Sequence, residues 1–261
     1  MSDMNNISHD TSNNTATKHF VEFMIVAGTF MLPSLFMAAG ADPEAVMRLE
    51  YQLLSVLVGI PQIAFLWLFL QRSGGGRLAA AGWVPVSSSM LKPALRTAVV
   101  LFVVMGAAAL LSMQLLGGIP GAPGPGSVGP GAAGSTGAGA AAGAPAGAPA
   151  GGLPIPLIAL LLFVSTMVNS YREELLYRGY AVSTLRAAGA GRATAASVAI
   201  VLFAVVHLYQ GVYGLIGAAA GGIVLTVSFL RRGEIHSLAW AHAAYNFILL
   251  MTRVVAPGFL Q

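Results

Sequence analysis

Long apolar runs separated by short polar segments are the dominant pattern of this chain. A hydrocarbon core about 30 Å thick is crossed by roughly 20 apolar residues in helical form, so each run predicts a membrane-spanning helix. Seven runs meet this description, near residues 20–40, 51–70, 95–116, 154–177, 193–208, 212–230 and 235–254. The pattern therefore predicts an all-α, polytopic transmembrane helix bundle with about seven spans.

Composition supports this interpretation and narrows the function classes. Hydrophobic residues make up 56% of the 261 positions and charged residues only 8%, whereas soluble domains carry about three times that charged fraction. The net charge of +4 comes from basic residues dispersed among the loops, which indicates contact with a lipid bilayer and not with nucleic acid. The absence of cysteine excludes disulfides, thiol catalysis and thiolate metal sites.

Changes in composition divide the chain into five parts. We expect a disordered polar leader at 1–19, a three-span region at 20–116, a disordered Gly/Ala/Pro-rich loop at 117–152, a helical core at 153–254 and a tail at 255–261. Most basic residues lie in the loops between the second and third spans, after the fourth and after the sixth: Arg72, Arg77, Lys92 and Arg96, then Arg178, Arg186 and Arg192, then Arg231 and Arg232. The positive-inside rule then predicts that these loops and the N-terminus are cytoplasmic.

The segment REELLYR, residues 172–178, places charges where burial is costly. Glu174 and Arg178 are spaced i,i+4 with the acid first, the favourable order for an intrahelical ion pair. Glu173 is rotated by about 100° from Glu174, so this pair does not consume it and it can serve as a general base on water. The alternative is a polar collar at the interface, with Arg172 and Arg178 snorkelling towards water.

Two further polar groups occur in the last spans. His242 and Asn246 are also spaced i,i+4 and could donate two hydrogen bonds to a developing oxyanion, or simply bond to a neighbouring helix. His207 ends the fifth apolar run, one turn after Phe203. Ionisable groups inside spans are functional candidates by default.

The three motifs together resemble the CPBP family, the CAAX-protease and bacteriocin-processing membrane proteins. EELLYR at 173–178, FAVVH at 203–207 and HAAYN at 242–246 match its E-E-x-x-x-R, F-x-x-x-H and H-x-x-x-N pattern, and the resemblance covers about 153–250. It implies an intramembrane endopeptidase in which Glu173 activates water, His207 holds that water, and His242 with Asn246 stabilises the oxyanion. Glu174 and Arg178 would be the supporting ion pair.

The resemblance also bears on cofactor, substrate and location. We expect no metal, because H-E-x-x-H is lacking; if zinc is used, its ligands would be Glu173, His207 and His242. The substrate would be a membrane-associated protein or peptide, and the setting a bacterial plasma membrane. The substrate's identity, its cleavage site and the oligomeric state stay open.

A ladder of straight spans conflicts with this assignment. It places Glu173 and His207 about 15 to 20 Å apart in depth at 1.5 Å per residue. The resemblance instead implies that the helix carrying EELLYR continues past Arg178, and that short or re-entrant helices surround a membrane-embedded polar cavity. The helix near 193–208 would then end inside the membrane.

Two functions without proteolysis remain as alternatives. A non-catalytic membrane scaffold or immunity-type protein could keep the same fold and bind a partner. A transporter could use the polar groups as a proton relay, although the two halves show no inverted repeat.

Overall fold

A computed structural model describes residues 15–31, 49–116 and 153–256, and this part of the chain is helical without any β-strand. The predicted all-α class is confirmed. The predicted 117–152 loop lies outside the described residues, and so do residues 1–14 of the predicted leader. Residues 15–19, which were also expected to be disordered, are helical.

Nine α-helices follow one another along the described ranges. Helix α1 covers residues 15–31. The others are α2 (Leu49–Arg72), α3 (Arg77–Ala80), α4 (Leu91–Leu116), α5 (Ile155–Glu173), α6 (Ser183–Ala187), α7 (Arg192–Val205), α8 (Gly211–Arg232) and α9 (His236–Val255). A π-helical segment, Glu174–Val182, joins α5 to α6, and the 3₁₀ turns Ser88–Met90 and Leu208–Gln210 precede α4 and α8.

Five helical segments within the described ranges are long and apolar enough to cross a membrane: Leu49–Arg72, Ser88–Leu116, Ile155–Ala187, Leu208–Arg232 and His236–Val255. Helix α7 has only 14 residues, about 21 Å at 1.5 Å per residue, and is too short to span. The first predicted span, 20–40, lies partly outside the described residues. The count of about seven spans is therefore not confirmed.

The helices pack into a bundle with an apolar surface. Helix α5 lies between α2 and α9, while α4 packs on α8 and α9, and α7 packs on α8. The centre includes Leu101, Leu175, Leu225 and Leu238, all at least 98% buried. Many large apolar side chains on the outside are exposed, including Leu57 at 71%, as expected for helices that face lipid.

Helix α1 is attached to the second half of the chain by polar contacts. Glu22 Oε1 lies 2.5 Å from Arg77 Nη2, which also donates to Thr184 Oγ1 at 3.2 Å. The Tyr180 hydroxyl donates to Glu22 at 3.5 Å. These contacts hold α1, α3 and α6 together beside the π-helical segment.

Candidate active site

The two adjacent glutamates lie where α5 passes into the π-helical segment. Helix α5 begins after Pro154 and carries a second proline in its first turn, a position where the missing N–H costs nothing. It continues without a break into Glu174–Val182, and every residue of this segment is buried. π-Helical turns are rare and occur frequently at functional sites. The predicted continuation of the helix past Arg178 is confirmed.

The predicted ion pair between Glu174 and Arg178 is present and fully buried. Arg178 Nη1 donates to Glu174 Oε1 at 3.1 Å, and both side chains are 0% exposed. The guanidinium also donates to Thr226 Oγ1 at 3.4 Å and to the Gly222 carbonyl at 3.5 Å, both on α8. It lies 4.3 Å from the centre of the Phe203 ring, a cation–π contact.

This burial corrects the collar interpretation for Arg178. A snorkelling side chain keeps its charged head in water, whereas the partners of the Arg178 head group lie on its own π-helical segment, on α7 and on α8. Arg178 therefore cannot be counted among the basic residues of a cytoplasmic loop. The predicted orientation still rests on the other basic residues of these loops, which are Arg72, Arg77, Lys92, Arg96, Arg186, Arg192, Arg231 and Arg232.

The imidazole of His242 lies between the two glutamates. Its Nδ1 is 2.9 Å from Glu174 Oε1, and its Nε2 is 3.8 Å from Glu173 Oε2. Because a carboxylate only accepts hydrogen bonds, Nδ1 carries a proton. The other ring nitrogen, Nε2, is directed at Glu173. Sequence reasoning missed the contact with Glu174, since no spacing rule links residues 68 positions apart.

Glu173 has a different environment from Glu174. Its side chain is 14% exposed, and its Oε1 lies 3.4 Å from Arg172 Nη2, whose side chain is 25% exposed. It takes no part in the buried ion pair, as the helical spacing predicted. The structure thus separates one enclosed carboxylate from one that is open at the edge of the site.

His207 reaches the same cluster through Phe203. Its Nδ1 donates to the Phe203 carbonyl at 2.6 Å, which leaves Nε2 as the ring nitrogen that can bind water or substrate. The Phe203 ring centre lies 4.6 Å from that of His207 and 6.1 Å from that of His242. The short helix α7 therefore brings His207 close enough to Glu173 for an electrostatic interaction, which a ladder of straight spans would not allow.

Asn246 is a predicted site residue for which no hydrogen bond to the other described site residues is observed. It lies on α9 one turn after His242 and is half-buried. Its side chain makes no hydrogen bond to any residue in the described ranges. Two buried oxygen atoms also have no hydrogen-bond partner within those ranges. They are Oδ1 of Asn169, which lies one turn before Glu173, and Oε2 of Glu174.

The described residues do not fit a metal ion. In these ranges no group of three His, Cys, Asp or Glu side chains has an arrangement that could hold one. The fallback zinc ligands Glu173, His207 and His242 are thus not such a group. The structure gives no support to the metalloprotease interpretation.

An aromatic network next to the site was also missed from the sequence. His236 Nε2 donates to the Val84 carbonyl at 2.8 Å, and the Tyr171 hydroxyl donates to His236 Nδ1 at 3.1 Å. Trp240 Nε1 in turn donates to the Tyr171 oxygen at 2.8 Å. His236 is 98% buried and its two ring nitrogens are both satisfied, so this network fixes α9 against α5 directly before Glu173.

Comparison with known proteins adds one match. A family model described as "Type II CAAX prenyl endopeptidase Rce1-like" matches residues 155–248, a range that contains all three motifs. No curated protein and no solved structure is matched by the chain. The five apolar helices of the described ranges support an integral membrane protein. Residues 155–248 are similar to this family, and the resemblance to the CAAX-protease family is confirmed over that part of the chain.

Proposed function

We propose that this protein is an intramembrane endopeptidase that hydrolyses a peptide bond of a membrane-associated protein or peptide with water activated by Glu173. One observation carries the proposal. The partly exposed carboxylate of Glu173 faces His242 Nε2 at 3.8 Å, on helices that a family match assigns to an endopeptidase-like region.

In the proposed reaction Glu173 acts as the general base. A water held between the Glu173 carboxylate and His207 Nε2 attacks the scissile carbonyl carbon while its proton passes to Glu173. The carbonyl π electrons move onto oxygen, which becomes the oxyanion of a tetrahedral intermediate. When the intermediate collapses, the C–N bond breaks and Glu173 returns the proton to the leaving amine.

His242 and Asn246 are proposed to stabilise the oxyanion. With Nδ1–H bound to Glu174, the imidazolium form of His242 presents Nε2–H as a second donor. The Asn246 amide, one turn further along α9, would supply the other hydrogen bond. Donors fixed before the reaction begins stabilise developing charge without reorganisation, and the hydrogen bond from His242 to Glu174 is what fixes this ring.

Glu174 and Arg178 are proposed to be positioning residues. Glu174 accepts hydrogen bonds from both Arg178 and His242 with the same oxygen. Arg178 is in turn fixed by α8 and by the Phe203 ring. This arrangement resembles the outer-shell partners that orient a catalytic histidine and select its tautomer.

The proposed location is a bacterial plasma membrane with the N-terminus in the cytoplasm. In that setting peptide leaders and membrane-protein segments are the expected substrates, in preference to prenylated CAAX tails. The site would open towards the cytoplasmic half of the membrane.

The experiment compares new protein ends in the membrane proteome of cells that carry wild-type protein or Glu173→Gln at equal abundance. Glu50→Gln is the matched control, because Glu50 is an exposed glutamate on α2 with no side-chain partner in the described ranges. We expect a set of ends that is present with wild type and Glu50→Gln and lost with Glu173→Gln. If the ends of all three cell lines agree while bound partners co-purify, the scaffold alternative is favoured.

A further inference from the structure

A groove on the surface of the bundle is lined by none of the residues of the candidate active site. This open groove of about 400 Å³ runs between α4 and α8, a volume within the range of small-molecule sites. Arg96 near the start of α4 and Arg231 at the end of α8 both line it, so the two helices run in opposite directions and their basic ends meet.

The walls of the groove are apolar. Ile223 and Val227 on α8 and Val100 on α4 are exposed side chains that line it. Residues 223, 227 and 231 share one helix face at i,i+4 spacing, and 96 and 100 do so on α4. The stripe from Ile223 to Arg231 is about 12 Å long at 1.5 Å per residue, enough for the upper part of an acyl chain.

One end of the groove carries an excess of positive charge. Arg96 and Arg231 are exposed, and their side chains make no ion pair or hydrogen bond to any residue in the described ranges. Arg232 is the third cation, but it donates to Thr97 Oγ1 at 2.5 Å and lies 3.9 Å from Glu234. Within the described ranges, two of the three arginines that line this end therefore have no counter-charge.

We propose that this groove binds an anionic phospholipid, with the phosphate between Arg96 and Arg231 and one acyl chain along the apolar stripe. The complementarity is specific in shape as well as charge, because the cations are at one end only and the wall behind them is apolar. Basic pockets between transmembrane helices recognise anionic headgroups, and the predicted orientation places this end at the cytoplasmic leaflet, where such lipids are enriched. This site is independent of the proposed proteolysis.

The groove is tested by native mass spectrometry of the purified full chain in detergent, titrated with dioleoyl-phosphatidylglycerol or with dioleoyl-phosphatidylcholine. Each basic contact near a membrane surface contributes about 1 kcal/mol. Arg96→Gln with Arg231→Gln should therefore weaken phosphatidylglycerol binding about 30-fold. The matched control is Arg72→Gln with Arg186→Gln, which removes the same charge from exposed arginines outside the groove and should change the affinity less than about 3-fold.

Several results would overturn the proposal. Equal weakening in both double variants would show that only the overall charge attracts lipid, and unchanged affinity in both would show that the two arginines bind no headgroup. Equal binding of the two dioleoyl lipids would exclude recognition of the anionic group. A short-chain dihexanoyl-phosphatidylglycerol that binds as tightly as the dioleoyl lipid would show that the apolar walls are not used. Circular dichroism checks that each variant is folded.

Discussion

Replacing Glu174 by glutamine should destabilise the folded protein strongly, although the side chain keeps its size. Glu174 Oε1 compensates the charge of Arg178, which is 0% exposed. After the replacement, the partners of Arg178 in the described ranges are uncharged: the amide oxygen of the new glutamine, the Thr226 hydroxyl, the Gly222 carbonyl and the Phe203 ring. A buried cation is then left without a carboxylate in contact with it.

The size of this effect follows from the burial of the pair. Removing one partner of a buried ion pair costs about 3 to 5 kcal/mol, and we expect about 3 kcal/mol because the glutamine oxygen still accepts a hydrogen bond. Arg178→Met should cost a similar amount, because the buried Glu174 carboxylate would lose the guanidinium and keep only the hydrogen bond from His242 among its contacts in the described ranges. The double variant buries no uncompensated charge, so its loss should fall short of the sum by about 2 to 3 kcal/mol.

The assay is equilibrium unfolding of the purified proteins in mixed micelles by titration with dodecyl sulfate. It compares wild type, the two single variants, the double variant and Glu50→Gln, whose exposed carboxylate should change the free energy of unfolding by less than about 0.5 kcal/mol. A Glu174→Gln variant within about 1 kcal/mol of wild type would show that the carboxylate does not compensate a buried charge. Single effects that add within about 0.5 kcal/mol would show that Glu174 and Arg178 are not coupled.

Three further outcomes are expected. Glu173→Gln should lower the cleavage rate of an identified substrate at least about 10²-fold. The free energy of unfolding should stay within about 1 kcal/mol of wild type, because the Glu173 carboxylate is outside the buried pair of Glu174 and Arg178. Full activity of this variant would exclude Glu173 as the general base. Gly179→Ala should destabilise the protein by about 1 to 3 kcal/mol, since a Cβ at this position would lie 2.7 Å from the Ala81 carbonyl oxygen. The control Gly106→Ala, where a Cβ would have nothing within 4 Å, should be neutral or stabilising in the same unfolding titration. Equal effects of the two replacements would contradict the close approach of Gly179 to Ala81. Phe203→Leu should lower the free energy of unfolding by about 1 to 2 kcal/mol through the lost cation–π contact with Arg178. It should also slow cleavage, because the ring packs against His207 and His242. A variant as active as wild type would show that the ring does not position these histidines.

Local spacing predicted the parts of the site that lie on one helix. The Glu174–Arg178 pair follows from i,i+4 geometry, and the separate position of Glu173 follows from its 100° rotation. Contacts between helices could not be obtained in this way. The hydrogen bond from His242 to Glu174 and the approach of Phe203 to both histidines depend on tertiary packing, which has no signature in the spacing of residues along one helix.

The fold shows the same division between local and tertiary information. Apolar runs predicted the helices, because hydrophobicity over about 20 residues is a property of each segment alone. The run at 193–208 was apolar but yielded a 14-residue helix, since its neighbours and not its composition decide where it ends. No sequence rule predicts the π-helical geometry of Glu174–Val182 either.

The π-helical segment makes the length of this stretch as important as its residues. Deleting one residue between Glu174 and Arg178 would rotate everything after the deletion by roughly a quarter of a turn relative to everything before it. Arg178 would then leave Glu174, and Gly179 would leave the Ala81 carbonyl that it approaches so closely. We expect the segment to accept apolar replacements at Leu175 and Leu176 far more readily than the loss or gain of a single position.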